Sequence, residues 1–443
     1  MKHFSVQAEL PVYALDFLSE DVIVYAGGGG AGRSGVKNAI RTVRVDLPGQ
    51  TVKELNRLEL SRDEDAPMCL SVNKSLGNLV CGINSTADKV KEGKNESLRV
   101  FEYELKEAEK KGEKEEEEKS EELSATVTFT KSATSLPITD PEQYQKFSTF
   151  SPDERLLVTG GTDGSFTLHT YPSLKPAWQS PPDAFGSDSA TEELYSGDFS
   201  YDSEQLVLAS AQKIKVFSTS PAPPSAPAGA AAATASTAEG SSSLTAGDAT
   251  EKVKRPLKIQ TIRNPALGGA GPCTFRAARF GRAPTSEKVL FTVVNAGSAG
   301  KGAKGKRKSF VSAWNAETWD LIQTRHVADK PITAFDVSAD GRLLAYGCSD
   351  LSVGVLDAKT LRPILRILDA HSFPPTCLRL SPSGRTLISG SADNTLRVVE
   401  IPPSALLGSS AASTRSVLLT VLLALIFVII AYILQQRLAL MQS

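Results

Sequence analysis

Three stretches of this chain align with one another without a gap. Ser151 opens SPDERLLVTGGTDGSFTLHT, Ser338 opens SADGRLLAYGCSDLSVGVLD, and Ser381 opens SPSGRTLISGSADNTLRVVE. Each holds a turn, a short apolar strand, a glycine, an aspartate twelve residues after the first serine, and an alternating strand. The last two copies stand 43 residues apart, the period of a unit of four antiparallel strands. Asp163, Asp350 and Asp393 then fall in a tight turn between two strands, where an aspartate side chain bonds its own backbone. Weaker copies begin near Val12, Pro67, Leu194 and Pro272, so the chain holds seven units. The opening segment HFSVQAEL supplies the outer strand of the last unit and closes the ring. Closure removes the two unpaired sheet edges that an open arrangement leaves. The expected fold is all-β, a seven-bladed β-propeller over residues 1–402.

Insertions interrupt the pattern. Residues 104–123, ELKEAEKKGEKEEEEKSEEL, form a charged run that reads as a solvated spacer, a short exposed helix or a loop. Residues 219–250 are Pro, Ala, Ser and Thr with almost no large apolar side chains, and form no core within the fourth blade. Lys301, Lys304, Lys306, Arg307 and Lys308 share one hairpin tip, either solvated or facing anionic lipid.

Val417 to Leu434 reads VLLTVLLALIFVIIAYIL without a charge. With Ser416 this is enough helix, at ~1.5 Å per residue, to cross ~30 Å of hydrocarbon. A transmembrane helix is expected at 416–434, after a small polar linker at 403–415 and before a short lumenal tail at 435–443. The N-terminus MKHFSVQAELPVYAL has no signal-peptide pattern, so the body is expected in the cytosol. The short span suits a thin bilayer such as the endoplasmic reticulum. Cys69, Cys81, Cys273, Cys348 and Cys377 are too few and scattered for a disulfide framework. A net charge of −1 points away from a nucleic-acid partner.

The chemically unusual stretch is AGGGGAGRSGVKNAI, Ala26 to Ile40, expected between the third and fourth strands of the first blade. Four consecutive glycines, Gly27, Gly28, Gly29 and Gly30, are costly in conformational entropy, and a plain hairpin needs one or two. Such a run lets carbonyls or amides converge on an ion. It is not a phosphate-binding Walker loop, because Val36 follows Gly35 and no helix begins there. On chemistry alone, an ion- or partner-binding element and an unstructured loop both remain open.

The AGGGG…GVKNAI loop in the first blade, a seven-bladed WD40-like ring and a C-terminal membrane anchor together resemble one family. It is the endoplasmic-reticulum guanine nucleotide exchange factor for the Sar-type small GTPase of the COPII coat, whose animal relatives are called prolactin regulatory element-binding protein. The resemblance spans residues 1 to about 435. It implies that the loop folds around a potassium ion, projects from the ring, and presses on the GTPase so that GDP leaves. Gly27, Gly28, Gly29 and Gly30 would form the turn, and Gly35, Val36, Lys37, Asn38 and Ile40 the projecting tip. Asn38 matches the family's critical asparagine and is the side-chain candidate for the potassium, with backbone carbonyls supplying the rest. Asp65 and Pro67 resemble a second contact patch. Lys37 is either solvated or a contact to an acidic patch. Val36 and Ile40 either wedge into the partner or pack on the blade.

Other functions fit less well. A membrane-tethered scaffold without exchange activity needs no four-glycine loop. A transcription factor needs a base-reading element that is missing from the pattern. A hydrolase needs a convergent polar site, and His3, His169, His326 and His371 show no pairing with a nucleophile. The body is expected to be a monomer that makes and breaks no covalent bond.

Overall fold

The computed structural model describes residues 2–32, 35–107, 123–179, 185–187, 190–220, 257–263, 267, 271–297 and 307–403, with isolated positions 422, 424, 426 and 430. Seven four-stranded antiparallel sheets form the ring, six of them with strands in sequence order from inside to outside. The first blade is Val12–Phe17, Val22–Gly27, Ala39–Asp46 and Thr51–Glu59. The seventh is Pro375–Leu380, Thr386–Ser391 and Thr395–Glu400, completed by His3–Gln7 from the other end of the chain. His3 pairs with Val399 and Gln7 with Thr395, so the ring closes as expected.

Burial within a blade follows from its neighbours. The second strand is covered on both faces, so VIVYAG at 22–27 and LLAYGC at 343–348 are wholly buried. The outer strand Thr51–Glu59 alternates between exposed and half-buried positions. One apolar cluster fills each of the seven wedges between blades. Ile388, Leu396 and Val398 of the last blade meet Ile23, Tyr25 and Val43 of the first. Val24 and Ile40 meet Leu79 and Phe101 of the second. Around the central channel, inner strands are stapled to one another. Asp16, Asp198 and Asp336 each accept a backbone N–H of the next blade, from Val72 (3.3 Å), Phe280 (2.8 Å) and Leu380 (3.0 Å).

The aspartate turns form as read from the repeat. Asp163, Asp350 and Asp393 accept the backbone N–H two residues on, from Ser165, Ser352 and Thr395. The glycine stretch, however, joins the second and third strands of the first blade, not the third and fourth. The first blade begins at Val12 as expected, and Val12–Phe17 and Val22–Gly27 are its first two strands, so the glycine stretch follows the second. The charged run lies between Leu98–Glu107 and Leu123–Ala133, whose pairing extends into both of its ends. The interior of that run, the low-complexity segment from 221, the basic residues 301–306 and residues 404–415 lie outside the described residues. So does most of the stretch expected to span a membrane; its described positions, Leu422, Ala424, Ile426 and Ile430, are helical and exposed. Among the described residues, no helix is long and apolar enough to cross a membrane.

Candidate functional site

Connections between second and third strands emerge on the same face of the ring as those between one blade and the next. The glycine stretch therefore meets residues 60–66, which lead into the second blade. It also meets Pro11, whose carbonyl accepts the Gly28 N–H at 3.1 Å. A Cβ on Gly27 would lie 1.8 Å from that carbonyl oxygen, so the strand end approaches too closely for any other residue. Gly28 and Gly30 have φ of 144° and 72°, and a Cβ on Gly28 would meet Asn38 Oδ1 at 2.3 Å. The glycines thus shape a defined path.

Asn38 holds that path. Its Oδ1 accepts the Gly30 N–H at 2.9 Å. Its Nδ2 donates to the Ser61 and Glu64 carbonyls at 3.2 and 3.1 Å. Its own carbonyl accepts the Leu60 N–H at 2.8 Å. It is 1% exposed, so it braces the loop from beneath rather than standing at a projecting tip. Ile40 is fully buried between the first two blades, which leaves packing as its role and removes the wedge reading. Val36 is half-buried against the cluster between the last and first blades. Gly29 and Gly30 are half-buried, while Ala31, Gly32, Gly35 and Lys37 are exposed. Lys37 pairs with Glu59 on the outer strand at 2.7 Å.

Asp65 and Pro67 join this site unequally. Pro67 is buried. Asp65 is half-buried, and a Cβ on Gly30 would come within 2.9 Å of its Oδ1. Burial pushes the Asp65 carboxyl above its ordinary range; the Ala66 N–H opposes this, and the Glu142 charge adds to it. The glycine stretch has no carboxylate of its own, but the fold brings one to it. Asp65, the loop carbonyls and the Asn38 amide offer oxygen only, a hard donor set suited to an alkali or alkaline-earth cation. A cation there would relieve the desolvated carboxylate. Among the described residues, no cluster of three or more His, Cys, Asp or Glu is placed to hold a metal.

The support behind the loop was not legible in the sequence. Glu64, whose carbonyl Asn38 engages, pairs through its side chain with Arg99 at 2.8 Å. Asn84 accepts the Asp65 N–H and bonds Asn95, and both asparagines are buried. Arg41, three residues beyond Asn38, lies over the Tyr25 ring and pairs with Glu9 and Glu54. None of these partners is near in sequence to the residue it supports, so spacing carries no sign of them.

A description of the WD domain, G-beta repeat, matches residues 362–400, which cover three strands of the seventh blade and the strand before them. Over most of its length the chain is similar to three further proteins. It is 24% identical to SEC12-like protein 2 of Arabidopsis thaliana, across 84% of this chain and 74% of that one. It is 23% identical to the guanine nucleotide-exchange factor SEC12 of Candida glabrata, across 88% and 71%. It is 24% identical to the SED4 protein of Candida glabrata across 90% of this chain, and spans about a third (32%) of that protein's length.

Proposed function

We propose that this protein is a guanine nucleotide exchange factor. It releases GDP from a Sar-type small GTPase at the endoplasmic reticulum membrane and so starts COPII coat assembly. The observation that carries this reading is the loop at 28–38, braced by the buried Asn38 and held open to solvent at Ala31, Gly32, Gly35 and Lys37. Similarity to proteins named as exchange factors, through most of the chain, supports it.

An exchange factor breaks no covalent bond. It binds the nucleotide-free GTPase more tightly than the GDP-bound form, and by reciprocity its binding weakens nucleotide affinity, typically by about 1–3 kcal/mol per coupled site. That coupling needs a surface that does not yield. The ring supplies the base, Asn38 fixes the loop to the next blade, and the exposed loop backbone meets the partner. Asn38 is a positioning residue here. A potassium ion would be held by Asp65 and the loop carbonyls, adding a positive charge that stiffens the loop.

The geometry also suits a membrane-bound protein. The last strand, Thr395–Glu400, starts on the face of the glycine loop and ends on the opposite one. A membrane anchor that follows this strand would attach on the face opposite the loop and leave the loop face free for a soluble GTPase.

The test is release of fluorescent GDP from a Sar-type GTPase by the full chain in lipid nanodiscs. Acceleration specific to that GTPase is expected. No acceleration, with both proteins folded, rejects the activity and leaves a tethered scaffold. For the ion, amide hydrogen exchange across residues 27–38 should slow in potassium relative to lithium or caesium. Equal protection in all three removes the ion and leaves the glycines as a conformational device.

A further inference from the structure

In six of the seven blades the innermost strand carries a β-bulge at the same place. The bulges fall between Val12 and Ala14, Gln145 and Phe147, and Leu194 and Ser196. The others fall between Phe275 and Ala277, Ile332 and Ala334, and Pro375 and Cys377. A bulge re-aims the extra side chain out of the pleat. Here the extra residues are Tyr13, Lys146, Tyr195, Arg276, Thr333 and Thr376, and all six line a central cavity of about 440 Å³. They form an upper tier, on the face of the glycine loop, that contains two cations and no carboxylate.

Three residues further along the same strands lies a second tier, which includes Asp16, Asp198, Arg279, Asp336 and Arg379. Its aspartates bond the backbone of the next blade and are not among the lining residues of the cavity; Asp198 is buried, while the Asp16 and Asp336 side chains keep 24% and 15% exposure beside Arg379. Its arginines do line it. The cavity surface therefore carries Lys146, Arg276, Arg279 and Arg379, with no carboxylate among its lining residues.

These cations are not equally compensated. Arg379 lies 3.8 Å from Asp16 and 3.7 Å from Asp336. Lys146 is 3.2 Å from Glu193 and donates to the Tyr144 hydroxyl. Asp198 is engaged by Arg282 at 2.9 Å. Arg276 stacks on the Tyr195 ring and donates to the Thr333 carbonyl, and makes no ion pair among the described residues. Arg279 donates from Nη1 to the Gly197 carbonyl, and its Nε is buried without a partner. Burial lowers the pKa of Arg279; Asp198 opposes this through space, and Arg379 adds to it. A guanidinium carries five N–H donors, and Arg279 lines an open cavity with its one hydrogen bond made from Nη1, so donors remain for an acceptor in the cavity.

We propose that the central channel is a binding site for a phosphate-class oxyanion, held by Arg276 and Arg279 with Lys146 at the rim. Guanidinium N–H groups match the several acceptor oxygens of such an anion, and the charge-assisted bonds formed are strong ones. A water satisfies a donor but neutralises no charge. The cavity is many times the ~30 Å³ share of one water, so a diphosphate fits within it. The site is separate from the glycine loop and does not depend on exchange activity.

The test is calorimetric titration of the full chain in detergent with inorganic phosphate, inorganic pyrophosphate and inositol hexakisphosphate, at constant ionic strength set by chloride. One saturable site per chain is expected, with affinity reduced about tenfold or more in Arg276→Gln and in Arg279→Gln. Lys146→Gln should weaken it less, and the surface change Lys94→Gln not at all. Binding of the inorganic anions identifies a free ligand; binding of the inositol phosphate alone identifies a phosphoryl group on a larger molecule. Arg279 also braces Gly197, so if Arg279→Gln does not fold, Arg276→Gln decides. The proposal is overturned if no titrant saturates at millimolar concentration. It is equally overturned if folded Arg276→Gln binds like the parent.

Discussion

The first and seventh blades share one frame and use the same corner of it differently. In the seventh, the turn between second and third strands is short, with Asn394 at φ 65°. Asp393 accepts the Thr395 N–H and hydroxyl at 2.9 and 2.6 Å, and also the Ser372 N–H. His371, buried, bridges the Thr395 and Ser389 hydroxyls at 2.8 Å each. Every partner lies within the blade or the loop that enters it. In the first blade the same corner carries residues 28–38, and its polar brace, Asn38, reaches residues 61 and 64 ahead of the second blade. A local network closes a blade and leaves none of the turn residues 391–395 fully exposed. A network borrowed from the next blade holds a longer loop while its outer backbone faces solvent. The seventh blade closes its corner locally and the first through its neighbour, so each can be damaged separately.

The largest expected effect falls on the frame. His169, in the third blade, is held at a pKa of about 4 by burial, the Leu174 carbonyl opposing. It stays neutral in the folded ring, whereas the unfolded chain takes up its proton near pH 6.5. Its contribution is therefore whole above pH 6.5 and is lost as the pH falls toward 4, about 3 kcal/mol in all. Urea unfolding of the full chain from pH 7 to 4 should show that slope, and His169→Gln should flatten it. An unchanged slope would mean that the ring's acid response lies elsewhere.

Asn38→Ala should come next, and in the opposite currency of function. It strands the Gly30 N–H and the Ser61 and Glu64 carbonyls, which are only part-buried and take up water once the loop loosens. Because those groups hold the loop and not the wedges, GDP release should fall on the order of a hundredfold with a small change in melting temperature. A large loss of melting temperature with exchange intact would erase the division between frame and loop. Gly28→Ala sharpens the same point by driving a methyl into Asn38 Oδ1; exchange should drop about tenfold. His371→Ala is the converse, costing the ring about 1–2 kcal/mol in denaturant unfolding while leaving GDP release unchanged. A slowed release there would show that the seventh blade, too, supports the exchange surface. Lys37→Ala is the smallest, since both partners of its pair with Glu59 are half-exposed. Its effect on melting temperature should be within measurement error, and any loss of exchange would mark Lys37 as a direct contact.

Much of the frame was legible because a propeller repeats its local rules. The serine-to-aspartate spacing marked three blades outright, and each aspartate makes the turn bond its position requires. Closure by HFSVQ was legible because an unpaired edge has no stable alternative. The corner holding the glycine loop was placed one strand too late: two strands, Val12–Phe17 and Val22–Gly27, precede it, and it follows the second. Asn73, Asn84 and Asn95 each open an Asn-x-Ser/Thr triplet, the acceptor pattern for glycosylation, yet all three are buried. The sequence shows three residues of a pattern but not whether they face solvent.

The sequence by itself determined the seven blades, their antiparallel order, the closing strand and an unusual glycine loop in the first blade. Those follow from alternation, spacing and backbone permission, which act over a few residues. Only the tertiary structure decided that Asn38 is a buried brace, that Ile40 is core, that Asp65 comes to the loop as a carboxylate, and that six bulges aim side chains into one channel. Those depend on contacts between blades, where residues far apart in the chain meet because the ring closes, and no local rule along the chain records which ones they will be.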